Sequence, residues 1–357
     1  MARATLRVGI VGTGFGVSAM VPGFRLTAGA EVVAICSSRR ERAEAAAQAN
    51  AIPLAFTNYQ AMLDQAQLDL VCIATPVATH APMSLAAIAA GCHVLCEKPT
   101  AMDAGEAAAM LHAAEAAGIV HMIDHELRFN PTRARVAELI SSGYIGQVRY
   151  ASIRNVSALR ADPTREWTWW SDRSLGGGAL GASGSHHVDL LRWWLGEIVA
   201  VSGQLATYVR ERPDPANGGA LRPVDSDDQF SLIARFASGA QAHVFVSYVA
   251  HHGGSNQLEV HGDAGSLVID HADRLWGRQA TAAQAEELSV ADPLEGMPGV
   301  ASNVWSRSFI HLARELVAAI QEGRPLQRGA TFADGLRCQQ ILDAVRRSHE
   351  RGCWESV

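Results

Sequence analysis

The sequence predicts an α/β fold: an N-terminal doubly wound parallel sheet, then a second domain with an antiparallel sheet. Three observations predict it. A glycine-rich turn, Gly12-Thr13-Gly14-Phe15-Gly16, follows the apolar strand Val8–Val11. Short apolar strands then alternate with alanine-rich helices up to residue 125, the rhythm of parallel strands buried on both faces. Beyond residue 126, strands succeed one another with turn residues between them, as in antiparallel sheets. At 357 residues the chain suits two domains, read as 1–125 and 126–357, with room for the final helix to pack back on the first.

In chain order, the first domain's strands are expected at Arg7–Val11, Val32–Ile35, Leu70–Ala74, His93–Cys96 and Val120–Ile123. Helices are expected at Arg40–Asn50, Pro82–Ala90 and Asp103–Ala117. Asp103 suits the N-cap of the last helix and Gly118 the residue after its end. In the second domain a helix at Pro131–Ser141 precedes a strand at Gln147–Val156, and a further helix covers Gly184–Leu195. Strands follow at Val199–Val209, Gln229–Phe236, Gln241–Tyr248 and Leu258–Ile269, the last broken at Gly262–Gly265. Pro213–Pro223 reads as a surface loop and 272–300 as irregular. Helices at Phe309–Gln321 and Phe332–Arg347 complete the chain.

Composition narrows the function classes. A formal charge of −6 without local asymmetry argues against nucleic acid or an anionic membrane as partner. The apolar stretches are too short or interrupted to span a bilayer, and the N-terminus lacks the apolar core of a signal peptide. The six cysteines form no CxxC pair, and several fall in buried strands, where thiols act as small hydrophobes. A soluble, cytoplasmic protein without a disulfide framework is expected.

The glycine turn offers backbone N–H groups and a helix N-terminus to a pyrophosphate. Gly12 permits the tight turn and Gly14 the close approach. The usual third glycine would fall at Val17, whereas Gly16 stands one place earlier. The second strand ends Ser37-Ser38-Arg39-Arg40, with no acid before Glu41 to accept from a ribose 2′-hydroxyl. Hydroxyls and guanidiniums there favour a 2′-phosphate, hence NADP over NAD, although Arg40 equally suits a solvated helix start.

Hydride transfer to or from an alcohol carbon needs a group that exchanges the hydroxyl proton. Lys98, in Glu97-Lys98-Pro99, follows the fourth of these strands at the carboxyl edge where such sheets bind ligands. A second constellation runs from Gly176 to Asp189, where helical spacing puts His186, Asp189 and Trp193 on one face. His186 suits a substrate hydroxyl, with Asp189 orienting it. Adjacent His186 and His187 point to different faces, so no metal is expected. Trp167, Trp169 and Trp170 suit either a sugar platform or interior packing.

These landmarks, in this order, resemble the Gfo/Idh/MocA oxidoreductases over essentially the whole chain. The resemblance adds Ala74-Thr75-Pro76 with His80, Leu127-Arg128-Phe129-Asn130-Pro131 and Glu322-Gly323-Arg324-Pro325. It implies a Rossmann domain and a C-terminal domain whose large, mostly antiparallel sheet joins a homodimer or homotetramer. It implies catalysis by Lys98 and His186 on a sugar, sugar derivative or cyclitol, and a cis bond before Pro99. It also implies cofactor contacts at Gly12, Gly14, Phe15, Gly16, Ser37, Ser38, Arg39, Ala74, Thr75, Pro76, His80, Glu97 and Lys98. Substrate contacts are expected at His125, Arg128, Trp170 and His186. Many members carry an aspartate four residues before the catalytic histidine, where this chain has Ala182. Either Lys98 and His186 suffice, another acid such as Glu126 or Asp189 compensates, or the chemistry has drifted. Two rival functions remain open: a glycoside-cleaving enzyme using transient oxidation, and a non-catalytic nucleotide and sugar sensor.

Overall fold

The computed structural model describes residues 5–252 and 256–357. The chain folds into two compact units, one of residues through 130 with 292–337, the other of 131–291 with 338–357.

The first unit holds six parallel strands, β1 (Leu6–Val11), β2 (Ala30–Cys36), β3 (Leu54–Phe56), β4 (Leu70–Ile73), β5 (His93–Cys96) and β6 (His121–Ile123). Their order is β3-β2-β1-β4-β5-β6, so the sheet reverses direction of growth between β1 and β4, where doubly wound sheets bind ligands. Helices α1 (Val21–Arg25), α2 (Arg40–Ala49), α3 (Tyr59–Gln65), α4 (His80–Ala89) and α5 (Ala104–Ala117) connect the strands. Both α5 caps form as expected. The Asp103 carboxylate accepts from Glu106 N at 2.9 Å, and Gly118 adopts φ 63°. The short β3 and α3 went unforeseen because β3 has only three residues, with none fully buried.

The domain boundary differs from the contiguous 126–357 expectation. Residues 292–337 close with the first unit because the apolar face of a later helix, Val304–Glu322, covers one side of the parallel sheet. Phe309, Leu312, Ala313, Leu316 and Val317 share a core with Ile10, Met20, Phe24 and Phe129. Phe309 meets Phe24 edge-on at 5.6 Å between ring centres. Each such side chain stabilises by about 1.5–3 kcal/mol on full burial, enough to draw the helix back across the sequence.

The second unit opens with α6 (Pro131–Ser141) and β7 (Val148–Val156), followed by α7 (Ser185–Leu195) and β8 (Ile198–Ala206). Residues Pro213–Pro223, expected as a loop, lie in a hairpin of β9 (Glu211–Asp214) and β10 (Ala220–Pro223). Its tight turn at Asp214–Gly219 supplied the loop-like composition. Then come β11 (Gln229–Phe236), β12 (Gln241–Ser247), β13 (Gln257–Gly262), β14 (Gly265–Ile269), β15 (Leu275–Gln279) and β16 (Glu286–Glu287). The last two correct the irregular reading of 272–300: β15 extends the sheet beside β14 despite its glycine. The helix Val304–Glu322 is α8, and α9 (Phe332–Arg351) precedes the edge strand β17 (Glu355–Ser356).

Nine strands form the second sheet, ordered β16-β15-β14-β13-β7-β12-β11-β8-β17. All pairings are antiparallel except β7 with β12. Alternation along β11 and β12 buries Phe230, Leu232, Ala234, Val244 and Val246 while Ile233 stays exposed, the period-2 pattern of a half-covered sheet. Within this unit α9 covers β8: Ser348 Oγ accepts from Gly203 N at 3.0 Å.

Candidate functional site

In the first unit, the turn after β1 has the geometry of a phosphate cradle. Gly12 has φ 115°, and a Cβ there would lie 2.0 Å from the Ala74 carbonyl oxygen. A Cβ on Gly14 would meet nothing within 4 Å, so the chain leaves room for a ligand to approach the backbone here. On Gly16 it would press the Ile10 side chain at 2.8 Å. Gly16 thus performs the helix-to-strand packing expected of the third glycine. Its early position is absorbed by a π-helical turn, Gly16–Met20, before α1, because such a turn accommodates an extra residue. These residues fit a dinucleotide.

The neighbouring strand ends complete this edge. The His80 ring nitrogens lie 2.9 Å from the Thr75 oxygen and 3.0 Å from the Pro99 oxygen, tying the two turns together. Burial, opposed by these carbonyls, lowers the His80 pKa. The Lys98–Pro99 bond is cis, and Lys98 N donates to Glu97 Oε2 at 3.1 Å. At the end of β2, Ser37 N donates to the Phe56 oxygen at 3.1 Å. Arg40 pairs with Glu44 at 3.3 Å on the exposed face of α2, the solvated alternative weighed for it.

Sequence reasoning did not single out Asp124. It follows β6, fully buried, and its N–H donates to the Cys96 oxygen at 2.8 Å. Burial first, then the Glu126 and Glu97 charges, raise its pKa well above the carboxylate range. Glu126, 2% exposed, is pushed up to about 8, mainly by burial. The signal was available: an acid one strand over from Lys98, at the same sheet edge. Arg128 is buried on the turn that carries Glu126. Its guanidinium pairs with Asp334 at 3.2 Å and donates to the Arg328 oxygen at 3.5 Å. His125 is buried on the same turn.

In the second unit, α7 carries His186, His187 and Asp189, all buried. A π-helical turn, Leu180–Gly184, leads into α7 and is held where Asp227 Oδ2 accepts from Leu180 N at 2.7 Å. Burial pushes Asp227 up to about 6. Asp189 Oδ1 accepts from Cys338 Sγ at 3.9 Å. Trp170 is buried beneath Arg160, whose guanidinium carbon sits 3.5 Å from its ring centre.

His187 lies 3.2 Å from Ser183 Oγ. Burial and the Arg133 charge push it down from 6.5 to about 4. The folded state thus prefers the neutral ring. The associated stability is complete above pH 6.5 and is lost as pH falls towards about 4, amounting to roughly 3 kcal/mol. Thermal melts of His187→Gln are expected to show a flatter pH dependence across that window. A slope identical to that of the unchanged protein contradicts this assignment.

The sequence comparisons agree with this geometry. A model described as oxidoreductase family, NAD-binding Rossmann fold, matches residues 6–125. Another, described as GFO/IDH/MocA C-terminal domain, matches 134–268. A levoglucosan dehydrogenase of Pseudarthrobacter phenanthrenivorans is 31% identical, across 99% of this chain and 98% of its own. The chain belongs to the Gfo/Idh/MocA oxidoreductase family.

Another Gfo/Idh/MocA relative, glucose-fructose oxidoreductase domain-containing protein 2 of Mus musculus, is 30% identical across 98% of this chain and 93% of its own. The solved structure of levoglucosan dehydrogenase in complex with NADH and L-sorbose matches with TM-score 0.90 and 30% identity, covering 99% and 98% of the two chains. As a Gfo/Idh/MocA oxidoreductase, the protein binds a nicotinamide dinucleotide through its Rossmann unit. Among the described residues, no helix is long and apolar enough to cross a membrane.

Proposed function

We propose that the protein transfers hydride between a nicotinamide dinucleotide and a secondary alcohol or ketone of a sugar, sugar derivative or cyclitol. The observation carrying this reading is Lys98, set at the carboxyl edge of a dinucleotide-binding sheet on a turn braced by His80 and Pro99. When bound, the dinucleotide supplies the hydride acceptor or donor. Lys98 exchanges the proton of the reacting hydroxyl, Glu97 fixes the Lys98 backbone, and the N–H groups from Thr13 to Gly16 hold the pyrophosphate, that of Gly12 being given to the Cys36 oxygen. His186 hydrogen-bonds the substrate, with Asp189 orienting it and the Asp227-held turn positioning α7. His125 and Trp170 belong to the substrate contacts in this reading. Arg128, held by Asp334, is the further substrate contact.

Sugar chemistry is supported by relatives named for levoglucosan and found with NADH and L-sorbose. A homodimer or homotetramer formed through the nine-stranded sheet, in the cytoplasm, belongs to the same reading. The test is a panel of levoglucosan, aldoses, polyols and cyclitols offered with NAD and NADP, followed at the reduced-nicotinamide band. Substrate-dependent absorbance is expected. Glycoside cleavage without net absorbance change supports transient oxidation and elimination instead.

NADP is proposed as the preferred form, on Ser37, Ser38 and Arg39 at the end of β2, although the relative's structure holds NADH. In Ser38→Asp/Arg39→Ala, a carboxylate replaces the 2′-phosphate-binding groups. The NADP-to-NAD affinity ratio is expected to fall by roughly tenfold or more, since each charge-assisted hydrogen bond contributes about 1.5–3 kcal/mol. An unchanged ratio sinks this preference.

A further inference from the structure

In the second unit several arginines lie over tryptophan rings. Arg222 covers Trp167 at 3.4 Å and is neutralised by Asp214 at 3.4 Å and Asp172 at 3.7 Å. Arg274, over Trp276, is neutralised by Asp270 at 2.9 Å. Arg235, over Trp354 at 4.1 Å, is exposed to water. Arg160 differs from all three. It is half-buried, with its guanidinium 3.5 Å from the Trp170 ring centre. Among the described residues no carboxylate answers it, and its Nη1 is buried without a hydrogen-bond partner.

The chain around Arg160 is held firmly. Arg160 N donates to the Tyr248 oxygen at 2.8 Å, just past β12. Arg212, 1% exposed, donates through Nη1 to the Asp162 oxygen and through Nη2 to the Arg160 oxygen, both at 2.7 Å. Arg165 Nη1 donates to the Leu159 oxygen at 2.9 Å. The ring is fixed as well: Ser226 Oγ donates to the Trp170 oxygen at 2.8 Å, and Tyr248 meets the ring edge-on at 6.0 Å. The acids of this region serve other donors. Asp162 Oδ1 accepts from Thr164 N at 2.8 Å and Thr164 Oγ1 at 2.7 Å, and Asp228 Oδ2 accepts from Tyr208 N and Val209 N at 2.9 Å each.

Burial first, then the Arg165 and Arg212 charges, push the Arg160 guanidinium down to about 9, so it stays charged at neutral pH. A partly desolvated cation without a counter-charge is costly, and the aromatic face offsets only part of that cost. An oxyanion at the guanidinium edge removes it, because the planar fork matches two oxygens of a carboxylate or phosphate at once.

We propose that Arg160, held flat on Trp170, binds an oxyanionic group of the substrate, a carboxylate or phosphate ester carried on the sugar-like molecule. This rests on the reading of Trp170 as a substrate contact. Trp170 serves that contact by presenting the guanidinium, since Arg160 covers the ring and only 7% of the residue is exposed. Acidic sugars and cyclitols are therefore favoured over their neutral counterparts.

The test is calorimetric binding to the full-length protein loaded with dinucleotide. The probes pair glucose, galactose and inositol with glucuronate, galacturonate, glucose 6-phosphate and inositol phosphate, alongside inorganic phosphate. An acidic member is expected to bind roughly tenfold or more tighter than its neutral partner, as for a charge-assisted hydrogen bond. The advantage is lost in Arg160→Met and reduced in Arg160→Lys, where a point charge replaces the fork. It is kept in Arg235→Met, which removes the exposed stacked arginine. Arg160→Met is expected to melt no lower than the unchanged protein, because it removes an unpaired, partly desolvated charge. The loss is thus read on folded protein.

Tighter binding of the uronates assigns the site to a carboxylate, and tighter binding of the phosphate esters assigns it to a phosphate. An acidic preference that survives in Arg160→Met overturns the proposal, as does the absence of any such preference across the probes. Inorganic phosphate bound as tightly as the sugar phosphate overturns the placing of the anion on the substrate. If an acidic sugar binds through Arg160 and none of the sugars or cyclitols changes the nicotinamide absorbance, the proposed function fails while the anion site stands.

Discussion

Replacing Lys98 with alanine or methionine is expected to lower kcat by roughly 10²–10⁴-fold, the usual contribution of a positioned acid–base group. Dinucleotide affinity should fall far less than kcat, because in the proposed reading the pyrophosphate is held by backbone N–H groups between Thr13 and Gly16, away from the lysine. Methionine preserves much of the aliphatic stem, so a loss in both variants isolates the amine. The rest of the turn remains braced by His80, whose contacts go to backbone oxygens. Steady-state kinetics and fluorescence titration with reduced dinucleotide separate the two quantities. Full turnover in Lys98→Ala would remove the lysine from the chemistry.

The second large effect is expected from Gly12→Ala. Its φ of 115° is a conformation that L side chains rarely adopt, and the new methyl would sit 2.0 Å from a backbone oxygen of Ala74. Neither partner can yield easily. Gly12 N donates to the Cys36 oxygen at 2.9 Å and Ala74 N donates to the Val11 oxygen at 2.7 Å, fixing both turns to the central strands. The cost is roughly 3 kcal/mol or more. At about 2–4 °C per kcal/mol for a domain of this size, the thermal midpoint falls by roughly 6–12 °C. Gly14→Ala is the control, because its methyl meets no protein atom within 4 Å. That variant should keep its melting point and lose dinucleotide affinity. Equal melting points for the two variants contradict the assignment of Gly12 to chain geometry and Gly14 to ligand approach.

Much of this was legible from sequence wherever one local rule decided the outcome. The strand His93–Cys96 and the helix Pro131–Ser141 form at the bounds their patterns suggest. Asp103 and Gly118 cap α5 because a carboxylate and a glycine each satisfy a helix end in their own way. What remained hidden depended on partners distant in sequence. α8 shows an apolar face, but only the core around Phe24 and Phe129 reveals which sheet it covers. Likewise, Glu97 stands out as a residue, whereas its place beside Asp124 arises from the pairing of β5 with β6. The misplaced Gly16 looked like a defect in the motif and proved to be matched by a π-helical turn.

In the proposed reaction hydride passes directly between substrate carbon and dinucleotide, assisted by Lys98. This transfer is tested most directly with a sugar or polyol deuterated at the reacting carbon, incubated with protein and oxidised dinucleotide, with mass spectrometry of the recovered cofactor. Deuterium is expected on the reduced nicotinamide, formed with the ketone product and nearly abolished in Lys98→Met. Product that forms while the recovered dinucleotide carries no label would contradict direct transfer.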